Sequence, residues 1–97
     1  MANVRRFLDI STAHLSEEDK ALLDSFAAPD SRLGPMTVST CYGWWMYAID
    51  DCYEDNCLSD NLTRICKHAR KNGCDYILFD CDAETDEELP VFEEADA

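Results

Sequence analysis

The sequence predicts an α+β domain with the split β-α-β-β-α-β order of ferredoxin-like folds, in which two helices cover one face of an antiparallel sheet and an acidic extension follows. Three observations lead there. Ninety-seven residues, 46% of them hydrophobic, suffice for one core and leave no room for a second. Two segments have the 3.6-residue apolar period behind a serine cap, and short apolar runs with strand character stand before, between and after them. We assign residues 1–82 to a single α+β domain and 83–97 to an acidic C-terminal extension with an edge strand at 89–92.

The first strand is read from Val4 to Thr12, where Val4, Leu8, Ile10 and Thr12 share one face. Ser16-Glu17-Glu18-Asp19 then matches a capping box, with acids in the first turn where the helix dipole favours them. Leu22, Leu23, Phe26 and Ala27 supply the apolar side of a helix near 17–27. After the breaker segment from Ala28 to Pro35, the runs Met36–Cys41 and Trp44–Ile49 flank Tyr42-Gly43 and predict a hairpin turning there. Ser59 caps a second helix near 60–72, whose apolar positions Leu58, Leu62, Ile65, Cys66 and Ala69 keep strict helical spacing up to the stop at Asn72-Gly73. Tyr76-Ile77-Leu78-Phe79 is the last strand.

A sheet covered on one side should alternate apolar and polar residues, yet 44–49 and 76–79 are apolar on both faces. Something is expected to cover the second face: the patch Leu89-Pro90-Val91-Phe92, a second protomer, or a target protein packing on Trp45 and Tyr47.

Charge carries the most functional information. Twenty-one acidic against eight basic side chains give a formal net charge of -13, which disfavours direct binding to nucleic acid or an anionic membrane and favours a basic protein partner. The acids concentrate in two clusters. Asp50, Asp51, Glu54 and Asp55 precede the second helix, and Asp80, Asp82, Glu84, Asp86, Glu87 and Glu88 follow the last strand. Together they would present anionic oxygens at a density comparable to a phosphate backbone. Arg64, Lys67, His68 and Lys71, with Arg70 alongside, are explained by pairing and by the dipole at the second helix's C-terminus.

Chemistry is harder to find. Phe79-Asp80-Cys81-Asp82 resembles the D-x-D opening of haloacid-dehalogenase-type phosphotransferases, but the downstream motifs of that family do not fit in the residues that remain. A calcium loop is also a poor match, since Thr85 and Val91 stand where Gly and Glu are wanted. The six cysteines form no C-x-x-C knuckle, so they are expected to be reduced and mostly to pack as small apolar residues. The pair Cys52 and Cys57 is left open to a disulfide or a metal contact. No nucleophile stands beside a base in a known local motif, and His14 sits in a turn with no ligand pattern around it.

The stretches Ile10–Leu15, Tyr42–Tyr47, Gly73–Asp80 and Leu89–Phe92 resemble an uncharacterised family of small acidic proteins carried on bacterial plasmids, integrative elements and prophages, often among anti-restriction genes. No activity comes with that resemblance. It implies a setting in which small acidic proteins recurrently inhibit host defence nucleases or CRISPR complexes.

The expectation is therefore a cytoplasmic binding protein with no enzymatic activity, cofactor or resident metal. Its acidic surface would engage a basic, nucleic-acid-handling host protein or complex. The alternatives are an oligomeric, antitoxin-like module acting as a homodimer through its apolar sheet face, and a metal or thiol sensor.

Overall fold

The computed structural model describes residues 4–29, 36–48 and 58–92. They form strand β1 (Phe7–Ser11), a 3-10 turn (Thr12–His14), helix α1 (Glu17–Ala27), strands β2 (Thr37–Ser39) and β3 (Gly43–Tyr47), helix α2 (Asp60–Lys71) and strand β4 (Tyr76–Asp80). The β-α-β-β-α-β order is as expected.

The sheet differs from the expectation. Its strand order is β1-β4-β3-β2, and β1 runs parallel to β4 while the other two pairings are antiparallel. It is therefore mixed where a wholly antiparallel sheet was predicted, and β4 lies between β1 and β3 where a ferredoxin-like sheet has β1 beside β3. Side-chain character explains the exchange. β4 buries Ile77 and Phe79 completely and suits a central position. β1 has exposed Phe7 and Asp9 and follows Arg5 and Arg6, which suits an edge. It begins later than expected, since Val4 is 95% exposed and precedes it.

Both helices form where the sequence places them. In α1, Ser16 Oγ accepts from Asp19 N–H at 3.1 Å, and Asp19 Oδ2 accepts from Ser16 N–H at 2.9 Å, the reciprocal pair of a capping box. Asp19 does more than cap. It is fully buried, and its carboxylate also accepts from Ser59 Oγ and, at 2.7 Å, from Asn61 Nδ2. Ser59 in turn caps α2 by accepting from Leu62 N–H at 3.1 Å. One carboxylate thus locks the two helix N-termini together.

The helices lie on one side of the sheet. Leu23 and Phe26 of α1 and Leu62, Ile65, Cys66 and Ala69 of α2 join a single core with Ile10, Met46, Ile77 and Phe79. Trp44 faces the same side, its indole N–H donating to Asp24 of α1 at 3.0 Å. At the end of α2, Gly73 adopts φ +79°, the left-handed conformation that stops helices at glycine.

The hairpin turns one residue earlier than predicted, at Cys41-Tyr42. Thr40 and Gly43 exchange backbone hydrogen bonds of 2.8 and 3.4 Å, and Thr40 Oγ1 accepts from the N–H groups of Tyr42 and Gly43. Gly43 is needed inside β3, because a Cβ there would fall 1.9 Å from the Phe79 carbonyl oxygen.

The last described segment is continuous with the core. Leu89 is 5% exposed within the hydrophobic cluster. Ser11 N–H donates to Glu84 O at 3.2 Å, and Phe92 N–H donates to Ala13 O at 2.8 Å. Residues 89–92 form no edge strand; hydrogen bonds from His14 Nδ1 to Pro90 O and from Phe92 N–H to Ala13 O tie them to the 3-10 turn.

Gly43 and Gly73 should respond differently to a methyl group. Gly43→Ala should cost more than about 2 kcal/mol, because β3 must move away from β4. Gly73→Ala, with open space around it, should cost only the roughly 1 kcal/mol of a left-handed alanine. Urea midpoints measure both; equal losses would show that the strand contact is not what position 43 serves.

Candidate binding surface

The acidic residues divide into those that hold the structure and those that face solvent. Asp86 belongs to the first group. Its Oδ2 takes a hydrogen bond from His68 Nε2 at 2.8 Å, its Oδ1 takes one from Glu88 N–H at 2.9 Å, and its carbonyl accepts from Leu89 N–H at 3.1 Å. Its own N–H donates to His14 Nε2 at 2.8 Å. The Glu88 N–H holds the Asp86 carboxyl below the usual carboxylate range, partly opposed by burial and helped by the hydrogen bond and charge of His68.

His14 is completely buried, and both ring nitrogens are used. Because Nε2 accepts from Asp86 N–H, Nδ1 carries the proton and donates to Pro90 O at 2.7 Å. A turn with a histidine and no visible ligand pattern proves to be the anchor for residues 86–90. The signal for it was the apolar patch 89–92, which had to pack somewhere, while nothing local marked the histidine as its contact.

Asp80 is half-buried at the end of β4, where its Oδ1 accepts from Asp82 N–H at 2.8 Å. Asp82, Glu84, Glu87 and Glu88 are exposed, and none forms an ion pair among the described residues. The other predicted cluster, Asp50, Asp51, Glu54 and Asp55, lies outside the described residues, as do Cys52 and Cys57.

Among the described residues, two groups of side chains could hold a cation. His68, Asp86 and Glu88 bring one ligand atom each within 4.8 Å of one another, and so do Asp80, Cys81 and Asp82. In the first the carboxylate already pairs with the imidazole; in the second Asp80 already caps a turn. Cys66 and Cys74 are buried, whereas Cys41 and Cys81 are exposed near the hairpin turn.

The face of the sheet turned away from the helices is aromatic. Strand pairing places Phe7, Tyr76 and Tyr47 in one cross-strand row and Asp9, Leu78, Trp45 and Val38 in the next. The rings touch one another: Phe7 and Trp45 centroids are 5.0 Å apart, Trp45 and Tyr76 stack at 5.2 Å, and Tyr76 meets Tyr47 edge-on at 5.7 Å. Phe7 and Val38 are about half exposed, at 48% and 50%, and no described residue covers this face with a helix. Trp45 and Tyr47 therefore lie together, as the sequence suggested. Phe7 and Tyr76, in other strands, join them only through the β1–β4–β3 order. Asp80 follows in the next row, between Ser11 and Gly43.

No described helix is long and apolar enough to cross a membrane. Residues 7–94 match the C-terminal domain of a family of unknown function, DUF5983. No curated protein and no solved structure matches the chain.

The Asp86 geometry predicts a pH dependence with a definite sign. A folded-state pKa below the unfolded value of about 3.9 gives a contribution that is complete above about pH 5 and is lost as pH falls through the lower, folded value. Asp86→Asn should therefore destabilise the domain by about 1–2 kcal/mol at pH 7 and progressively less below pH 4. Thermal unfolding of both proteins across pH 2–7 measures this; a difference independent of pH would remove the carboxylate from the account.

Proposed function

The chain belongs to the DUF5983 family, and within it we propose that this domain is a binding protein whose acidic surface engages a basic, nucleic-acid-handling protein. The partner class is a bacterial defence complex of CRISPR or restriction type, inhibited because carboxylates occupy a groove shaped for phosphates. The observation that carries this reading is the exposed set Asp82, Glu84, Glu87 and Glu88. These acids face solvent and form no ion pair among the described residues, on a segment anchored to the core through His14, Leu89 and Phe92.

An anchored segment suits the role better than a free acidic tail. Charges held in a defined arrangement lose less conformational entropy on binding, and complementary fields raise association rates. A net charge of -13 extends that steering over the whole molecule. Asp86, although part of the same run, contributes through folding, since its carboxylate is taken by His68 and Glu88.

The test is charge reversal at the exposed positions only. In bacteria with an active CRISPR or restriction system, the wild-type protein should relieve interference against an incoming plasmid. The variant combining Asp82→Lys, Glu84→Lys, Glu87→Lys and Glu88→Lys should fold and fail to do so. Each rim charge should contribute about 0.5–1 kcal/mol, so the four together should reduce relief by orders of magnitude. Absence of relief by the wild type, or equal relief by the variant, contradicts the proposal.

A further inference from the structure

We infer that the aromatic face of the sheet is a docking site for arginine side chains of a basic protein segment. The inference rests on the reading above and adds an apolar contact surface to the acidic one.

The protein's own Arg70 shows how such a contact is made. Its guanidinium lies 5.1 Å over the Tyr47 ring at one corner of the face, while Nε donates to the Ala48 carbonyl at 2.6 Å and Nη1 to Asp75 Oδ1 at 3.0 Å. The combination is a ring face for the guanidinium plane with oxygens at its edge for the N–H groups. The materials for a second such contact are present across the face. Trp45 and Tyr76 form a stacked pair, with Phe7 against the indole. Asp9 lies in the same cross-strand row as Leu78 and Trp45, and Asp80 in the next. Neighbouring strands are about 4.8 Å apart, so Asp9 stands roughly 10 Å from Trp45 along that row. The Trp45 indole itself reaches across β4, its centroid 5.0 Å from the Phe7 ring of β1, so a guanidinium stacked on it turns the N–H groups at its edge toward the β1 side, where Asp9 is exposed.

Charge selects this occupant over the others. A nucleic-acid strand would stack on the same rings, but Asp9, Asp80 and a net charge of -13 repel its phosphates. A second copy of this chain would bring both sets of acids onto one interface, where like charges oppose association. Lysine satisfies the acids and gains less from the rings, because its compact ammonium is strongly hydrated and has no plane to stack.

The experiment compares octa-arginine and octa-lysine peptides of equal charge, titrated calorimetrically into the whole chain. The arginine peptide should bind about tenfold more tightly, as expected for two or three stacked guanidinium groups. Trp45→Ala should bring its affinity down to that of the lysine peptide and leave lysine binding unchanged. Phe7→Ser, at an exposed ring, should give a partial loss in the same direction, and provides the test if Trp45→Ala fails to fold. Equal affinity for both peptides, unaffected by either substitution, overturns the arginine site while leaving charge-driven binding intact. Binding of neither peptide overturns both readings. A dimer in sedimentation analysis that dissociates on Trp45→Ala would assign the face to a second copy instead.

Discussion

The imidazole of His14 between the Asp86 N–H and the Pro90 carbonyl is the contact on which the arrangement of the surface depends. A buried ring with both nitrogens satisfied is stable in only one tautomer and one orientation. It therefore fixes where residues 86–90 lie. Leu89 enters the core between the two bonds, and the Asp86 carboxylate reaches His68 on α2. Without that anchor the acids after β4 would be charges on a loose chain. With it they are held at set positions beside the sheet.

A second constraint acts at the other end of the helices. Buried Asp19 accepts from Ser16, Ser59 and Asn61, which ties the α1 and α2 N-termini to each other. Leaving a buried carboxylate without partners is costly, so the helices are kept side by side. Both then pack on one face of the sheet, and the other carries the rings, with Phe7 exposed and Trp45, Tyr47 and Tyr76 part-buried against one another. The open aromatic face is thus a consequence of where the helices are locked, and the mixed strand order decides which rings meet on it.

The helices were legible in the sequence because their signals are local: a serine three residues before an acid, an apolar stripe, a terminal glycine. The strand order was not. β1 and β4 both read as strands, and only their comparison shows that apolar β4 belongs inside and charged β1 at the edge. The hairpin turns one residue before Tyr42-Gly43 because Gly43, a usual turn residue, serves a close approach to Phe79 instead. At the surface, counting charges located the acidic segment but could not separate Asp86, engaged with His68, from its exposed neighbours. The role of His14 is not visible in the sequence, because its ring partners are backbone groups more than seventy positions away, which leave no pattern there.

Native-state hydrogen exchange at the amides of Asp86 and Phe92 tests the central claim, that residues 84–92 belong to the folded domain and hold its acids in place. These amides donate to His14 Nε2 and to Ala13 O. The account predicts that both exchange only through global unfolding, at the same free energy as the amides of Ile77 and Phe79 in β4. Exchange at the rate of an unstructured tail, with β4 still protected, would contradict it.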